Sequence, residues 1–408
     1  MWKYLYVTLW RIAIPVLYLW GNFDVKLKKF VRGREKAFAG RRHPVEPGDK
    51  VFWMHCASLG EFEQGLPVLE AFRKAFPGYK TVVSFFSPSG YDAVHDKHPA
   101  DAVVYLPFDI PSKVRSFLDE WHPDIAVFVK YEFWLVLLDE LRNQDVPTFL
   151  ISGIFRKGQF LMRRSLQAFT RFFVQDERSA EILLAKGFQN VSITGDTRFD
   201  RVSEIASTVR SFPDIEKWIR ERKVLVAGST WEPGEKMLSR YLAGKPAPGS
   251  AFIIAPHRVD NAHIENLVRS LPVPSVRYSG LSPSGEIPME AQVLIIDTVG
   301  MLSQLYRYAH IAYVGGGFGA GIHNILEAAV YGIPVLIGPK YRKFKEAADL
   351  VSLQGAFVVE NDRDFTRLLD DFFAGEVKRT DAGHRCREYI LQNTRATQKI
   401  MEVLQRYT

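Results

Sequence analysis

The chain is 408 residues long, more than one hydrophobic core usually fills, and its 47% hydrophobic and 24% charged residues are those of an ordinary globular protein of two or three domains. Its net charge of +7 sits at one end: residues 1–42 hold ten Lys or Arg against Asp24 and Glu35, a local +8, and the remainder is nearly neutral at −1. That distribution argues against a nucleic-acid partner, whose groove needs charge spread over the folded surface, while two cysteines, Cys56 and Cys386, make neither a disulfide framework nor a metal-ligand pair and fit a reducing compartment.

The first element reads MWKYLYVTLWRIAIPVLYLWGN, with Trp2, Tyr4, Tyr6, Trp10, Tyr18 and Trp20 spread among aliphatic residues. Lys3 and Arg11 interrupt it, and Arg11 would fall near the middle of a span of about 20 residues, so a spanning helix is not expected. No small-residue cleavage site follows, so a removed signal peptide is not expected either. The pattern fits a segment lying in the bilayer interface, with Lys26, Lys28, Lys29, Arg32 and Arg34 behind it suited to anionic head groups on the cytoplasmic side; an ordinary buried helix is the alternative. Residues 1–45 are assigned to this segment.

Apolar runs then recur at 51–56, 81–86, 102–108, 125–129, 148–151, 172–174 and 191–194, separated by helical patterns, which predicts a parallel sheet wrapped by helices over 46–210. The first run ends in Ser58-Leu59-Gly60-Glu61, and from Glu61 the spacing of Phe62, Leu66, Leu69 and Phe72 is helical, so Glu61 stands where a strand hands over to a helix. Glu63, two residues on, is a competing acid. The stretch FRKGQFLMRRSLQAFTRFF offers Arg156, Lys157, Arg163, Arg164 and Arg171 beside Phe155, Phe160 and Phe169. It reads either as a phosphate-binding surface next to an apolar one or as a solvated loop and helix face.

A second series, at 224–229, 251–256, 293–297, 311–316, 334–338 and 357–360, predicts another parallel sheet within 211–408, with the polar GDTRFDRV through residue 215 as linker. Two doubly wound domains in series predict a central cleft facing the carboxyl ends of both sheets, and Glu61 is expected to face it. In the late stretch IAYVGGGFGAGIHNILEAAVYGIPVLIGP, Gly315, Gly317 and Ala320 fit a loose dinucleotide pattern, but the next strand lacks the acid that would hold an adenosine ribose. The spacing predicts a helix opening near Asn324. Its amino terminus would face a phosphate and Glu327 a sugar hydroxyl, or Asn324 and Glu327 would simply cap it.

HCASLGEFEQG, KYEFW (130–134), APHR (255–258), DTVGML (297–302) and HNILEAA (323–329), in this order, together resemble the Kdo transferases. These are inverting glycosyltransferases of the GT-B fold, two Rossmann-like domains with a membrane-associated amino terminus, which move 3-deoxy-D-manno-octulosonic acid from CMP-Kdo to a lipid A precursor, lipid IVA. The resemblance implies Glu61 as general base and Glu132 as an active-site acid, with Lys130, Arg163 and Arg164 on the acceptor side. It implies a CMP site of Pro256, His257, Arg258, Val299, Gly300, Met301, Asn324, Ile325, Leu326 and Glu327. The family's Pro-Arg-His order is exchanged here at 257 and 258, and Met301 stands where the family commonly has Glu. The implied partners are CMP-Kdo, the lipid acceptor and an anionic membrane surface, at the cytoplasmic face of the inner membrane. A related GT-B enzyme using another nucleotide sugar on a lipid acceptor is the alternative.

The chemistry asks for these residue types. A CMP leaving group already carries phosphate charge, which Arg258, His257 and backbone N–H groups can meet, so no cofactor is expected. The attacking hydroxyl needs one carboxylate to take its proton. His55, His257 and His323 lack metal-ligand spacing, so no metal is expected.

Overall fold

The computed structural model describes residues 2–35, 44–96, 100–156, 163–208, 210–244, 246–281 and 285–408, of which the side chains of Trp2, Lys26, Glu35 and Arg163 are outside the description. The chain divides into two units, Met1–Arg201 with Thr394–Thr408, and Val202–Asn393.

The sheet of the first unit contains β1 (Lys50–Cys56), β2 (Tyr79–Phe85), β3 (Ala102–Tyr105), β4 (Ile125–Val129), β5 (Thr148–Gly153), β6 (Arg171–Val174) and β7 (Val191–Ile193). All pair in parallel, in the order β3-β2-β1-β4-β5-β6-β7. Both faces of β1 are covered: Val51 and Trp53 enter a core with Trp121, Phe128 and Phe172, whereas Phe52, Met54 and Cys56 enter another with Phe62, Leu69 and Phe72. A strand buried on both faces reads as an unbroken apolar run, which is why the sequence showed it plainly. Winding proceeds outward from β1 to one edge and from β4 to the other. The β1/β4 junction is therefore the topological switch point, where parallel α/β sheets place ligands beyond the strand ends.

The second unit repeats this architecture with β8 (Lys223–Thr230), β9 (Ser250–Pro256), β10 (Ser275–Arg277), β11 (Val293–Ile295), β12 (Ile311–Val314), β13 (Val335–Ile337) and β14 (Ala356–Val358). The order β10-β11-β9-β8-β12-β13-β14 puts its switch point between β8 and β12. Every apolar run read from the sequence is a strand. The short edge strand Ser275–Arg277, half-buried and mixed in polarity, was not legible.

Before the first sheet come helices α1 (Trp2–Trp20) and α2 (Val25–Arg32). One side of α1 is docked: Val7 is buried, Lys3 Nζ pairs with Asp139 Oδ2 at 2.7 Å, Tyr6 is hydrogen-bonded to Asp109, and Trp10 packs against Phe108 and Trp134 with ring centroids 5.6 and 6.5 Å away. Leu5, Leu9, Ile12, Val16 and Leu19 recur every three or four residues and are exposed, Leu19 by 68%, so they form an apolar stripe on another side of the helix, which Phe23, 88% exposed in the turn after it, extends. Among the described residues no helix is long and apolar enough to cross a membrane.

Three sequence expectations change. Arg34, grouped with the lipid-facing basic residues, is instead clamped inside: it donates to the carbonyls of Phe30, Leu106 and Phe86, lies 4.0 Å over the Phe30 ring, and burial brings its pKa down to about 10. GDTRFD is not a linker, because Asp196 and Thr197 are buried in the first unit, bonded to Gln64 and Ser152. The last helix, Ala396–Leu404, assigned to the second domain from sequence, belongs to the first unit, where Ile400 and Leu404 join the core of Phe52 and Phe72 and the carboxylate of Asp200 accepts from the N–H groups of Arg395 and Thr397 at 2.6 Å each. Ile400→Ala should therefore cost the first unit about 2–5 kcal/mol in urea unfolding, while the neighbouring exposed Lys399→Ala stays within about 0.5 kcal/mol. Equal, small effects at both positions would place this helix outside the core.

Candidate active site

The carboxyl end of β1 opens α3 (Leu59–Ala75), whose cap residue Ser58 makes no side-chain cap bond. Glu61 lies in the first turn and turns back to accept the N–H of Ala57 on Oε2, the use that an acid three residues past a cap commonly finds. Burial, and then the charge of Glu132, raise its pKa above the ordinary carboxylate value; the Ala57 bond, His55 and Lys130 oppose that rise and do not cancel it. Glu63, the competing acid, is exposed and paired with Arg201 at 3.5 Å.

Glu132 reaches the same place from the end of β4. Lys130, just before it, has φ of 63°, a left-handed conformation that turns the chain sharply past the strand end at a cost of about 1 kcal/mol or more. The Glu132 carboxylate is held by two donors, Trp134 Nε1 at 2.8 Å and His55 Nε2 at 3.2 Å, both on Oε2. His55 is wholly buried in β1. Its Nδ1 lies 2.8 Å from Ser84 Oγ, which already accepts from Trp53 Nε1 at 2.9 Å. We assign a proton to His55 Nε2 because the Glu132 carboxylate only accepts; Nδ1 faces both the Ser84 hydroxyl and, at 3.2 Å, the Ser84 carbonyl oxygen. The two carboxylates thus differ in support: Glu132 is fixed by a buried chain of donors, and Glu61 has one backbone bond among the described residues.

On the same unit Asp196 orients Arg198 through contacts of 2.9 and 2.7 Å; burial opposes its ionisation, but Arg198 and Gln64 hold its pKa below the usual range. Arg198 and Arg156 both lie close enough to Tyr131 to act on its hydroxyl electrostatically, as Glu61 does.

In the second unit the loops leaving β8, β9 and β12 bring Trp231, His257 and His323 together. Trp231 Nε1 donates to His323 Nε2 at 2.9 Å with the rings nearly parallel, and His257 stacks on both rings at 4.5 Å. Burial, then His257, lower the pKa of His323, consistent with a ring that accepts a hydrogen bond. A cavity of about 370 Å³ lies beside this cluster, walled by Trp231, Pro233, Tyr313, Phe318 and His323. Among the described residues no three His, Cys, Asp or Glu side chains group as a metal site.

A family model described as 3-deoxy-D-manno-octulosonic-acid transferase (kdotransferase) matches residues 31–201. A 3-deoxy-D-manno-octulosonic acid transferase of Haemophilus influenzae is 23% identical over 431 aligned positions, covering 100% of this chain and 99% of that protein. The chain is a glycosyltransferase related to the Kdo transferases. A bifunctional glycosyltransferase/methyltransferase of Fusobacterium nucleatum is 25% identical over 84% of this chain, which spans 56% of that longer protein. In fold the glycosyltransferase is similar to the UDP-GlcNAc 2-epimerase of Neisseria meningitidis, with a TM-score of 0.62 and 17% identity over 88% of this chain and 100% of that one. The two parallel-sheet units are those of the GT-B fold.

Of the residues read on the acceptor side, Phe155, Phe169 and Arg171 take other parts, whereas Arg164 faces solvent. Arg164 is exposed on the short helix Arg163–Leu166, its carbonyl accepting from Arg142 at 3.5 Å. Lys157, Phe160 and the Arg163 side chain fall outside the described residues. Phe155 and Phe169, read as an apolar acceptor surface, are core residues packed against Phe172, and Arg171 donates to Ser192 at 2.9 Å.

In the second unit Pro256 closes β9 and is buried, and His257 and Arg258 follow it exposed. Arg258 is held by Asp260 at 2.9–3.0 Å. Val299 is exposed by 86%, Gly300 has φ of 90°, and Met301 is buried with Sδ 3.0 Å from Thr298 Oγ1. The helix expected from Asn324 is a single turn, Leu326–Ala329, stopped by the Gly332-Ile333-Pro334 turn. Its cap residue, Ile325, has no capping side chain, and a single turn offers a phosphate little of a helix dipole. Asn324 donates to Glu327 Oε1 at 3.0 Å and accepts from Leu326 N–H at 3.3 Å. Two of the glycines serve packing: a Cβ on Gly315 would stand 2.1 Å from Ser229 O, and one on Gly317 2.6 Å from Gly338 Cα, so both let backbones pack on one another, whereas Gly316, Gly319 and Gly321 line the cavity. Trp134, Trp231 and Arg198 escaped sequence reasoning. Trp134 stands five residues past the apolar run 125–129, within KYEFW, and Trp231 two residues past the run 224–229.

Proposed function

We propose that this glycosyltransferase moves Kdo from CMP-Kdo to a lipid A precursor with inversion, and that Glu61 takes the proton of the attacking hydroxyl. The observation that carries the role of Glu61 is its setting: a partly buried carboxylate at the switch point of the first sheet, with its pKa raised by burial and by Glu132. A base is most effective when its pKa lies near the working pH, and a carboxylate reaches that range only when its charge is disfavoured. Glu132, fixed by His55 and Trp134, supplies the like charge that tunes it.

On the donor side the family resemblance assigns CMP to Pro256, His257, Arg258, Val299, Gly300, Met301 and 324–327. Arg258 would leave Asp260 for the phosphate, and Glu327, oriented by Asn324, would accept from a ribose hydroxyl. Lys130, Arg164 and, with them, Arg156 and Arg198 suit an acceptor bearing phosphates.

The exposed stripe of α1 is the surface expected to enter a bilayer interface, with Lys28 and Arg32 facing anionic head groups, at the cytoplasmic face of the inner membrane. The docked side of α1 ties that surface to the acceptor-binding unit.

With purified protein, CMP-Kdo and a tetraacyl disaccharide bisphosphate, Glu61→Gln should lower transfer by about 10²–10⁴-fold while CMP affinity stays within about twofold. Because only the ionised base works and its pKa is raised, the wild-type rate should fall on the acid side at a pH above that of an ordinary glutamate, about 4.3. A Glu61→Gln enzyme keeping more than about a tenth of the rate would give the role to another group.

Leu9→Asp with Leu19→Asp should abolish sedimentation with vesicles containing anionic lipid while leaving the docked side intact. Undiminished sedimentation would place the membrane contact elsewhere.

A further inference from the structure

Around the end of β4, one side chain belongs to two parts of the first unit. The indole N–H of Trp134 donates to Glu132 at 2.8 Å, while its ring lies 4.7 Å from Phe86, 6.3 Å from His55 and 6.5 Å from Trp10 of α1. Trp10 also meets Phe108, and Phe30 of α2 packs edge-on to Phe86 and Phe108, so α1 touches the indole directly and α2 supports its neighbours. A second route runs alongside. Asp109 is buried, hydrogen-bonded to Tyr6 of α1, and accepts the N–H groups of Val136 and Leu137 at 3.0 and 2.9 Å, the first turn of the helix that Trp134 caps. The seat of α1 and the backbone that carries Trp134 are thus joined twice.

We propose that Trp134 is a positioning residue that makes α1 part of the catalytic apparatus: its N–H fixes Glu132 beside Glu61, and its ring is held in place by the inner side of α1. The proposal rests on the reading of Glu61 as base. Its mechanical content is that Glu132 has two donors from different directions, His55 from β1 and Trp134 from the helix side, and that losing the second lets the carboxylate swing away from Glu61. The groups facing Glu61 are Ala57 N–H, His55, Lys130, Glu132, Cys56 and Tyr131. Of these, Glu132 opposes ionisation of Glu61 most strongly after burial, so its departure moves the titration of Glu61 to lower pH. The same displacement spoils the geometry of the site, where an error of about 1 Å can cost about 10²-fold in rate. A membrane-facing helix would then act on the chemistry through packing, beyond delivering the enzyme to the lipid surface.

Trp134→Phe keeps the ring and removes the N–H; Trp10→Ala keeps the N–H and removes the support of α1. Both are assayed in detergent with CMP-Kdo and the tetraacyl acceptor, so vesicle binding does not limit the rate, and CMP affinity, vesicle sedimentation and thermal midpoint are measured beside the pH dependence of kcat. Trp134→Phe should lose about tenfold or more in kcat, shift the acid limb to lower pH, and keep CMP affinity and vesicle sedimentation. Trp10→Ala should move kcat and the acid limb in the same direction, although it touches neither carboxylate. Normal kcat and an unmoved acid limb in Trp134→Phe overturn the proposal. So does a Trp10→Ala enzyme that changes only in vesicle binding, and this arm decides if Trp134→Phe does not fold. A Glu61→Gln enzyme of near wild-type rate would overturn the base reading itself, whereas an inactive Glu61→Gln beside a normal Trp134→Phe overturns only the positioning role.

Discussion

Two carboxylates are brought to the junction of β1 and β4, and the protein treats them differently. Glu132 receives two side-chain hydrogen bonds, and Glu61, among the described residues, has a single backbone N–H and a pKa raised by burial and by its neighbour. Like charges in a partly dry setting repel, so at least one of them needs hydrogen-bond donors to hold it in place. Here that is the chain Trp53–Ser84–His55, assembled from β1 and β2, with Trp134 completing it from the start of the next helix. The order of strands, the wholly buried histidine within an apolar strand and the left-handed turn at Lys130 all serve that arrangement.

Much of this was legible in the sequence, because strands covered on both faces leave unbroken apolar runs and two series of such runs give two sheets. What escaped it depended on contacts distant in sequence. His55 looked like an interruption of a strand, and only the approach of β2 and of the loop after β4 shows it bridging Ser84 and Glu132, residues 29 and 77 positions away. Asp196 and Thr197 read as polar linker because nothing local reveals that Gln64 and Ser152 satisfy them inside the fold. Arg34 looked like one more basic residue of a lipid-facing run until three carbonyls and four aromatic rings enclosed it. The last helix follows the second series in the chain but packs on the first sheet, a fact held in the burial of Ile400 and Leu404. Near Asn324 the pattern looked helical for longer than the glycine turn permits.

Glycine-rich stretches invite a ligand-centred explanation, and the second unit is a caution. Gly315 and Gly317 are required because the loops after β8, β12 and β13 touch backbone to backbone, which brings Trp231, His257 and His323 into one stack at the β8/β12 switch point. In the first unit α1 likewise serves two ends, with an apolar stripe toward solvent and an aromatic side toward Trp134. Each amino-terminal helix therefore carries residues whose type is set by internal packing among exposed apolar or basic ones.

The central claim, that Glu61 is a base tuned by a fixed Glu132, is most directly tested by titrating the protein with carboxyl-labelled glutamate followed by carbon-13 NMR. The account expects one side-chain carboxyl that titrates above the ordinary glutamate range, is absent in Glu61→Gln, and moves to lower pH in Glu132→Gln. A Glu61 carboxyl titrating at the ordinary value, unmoved by Glu132→Gln, would contradict it.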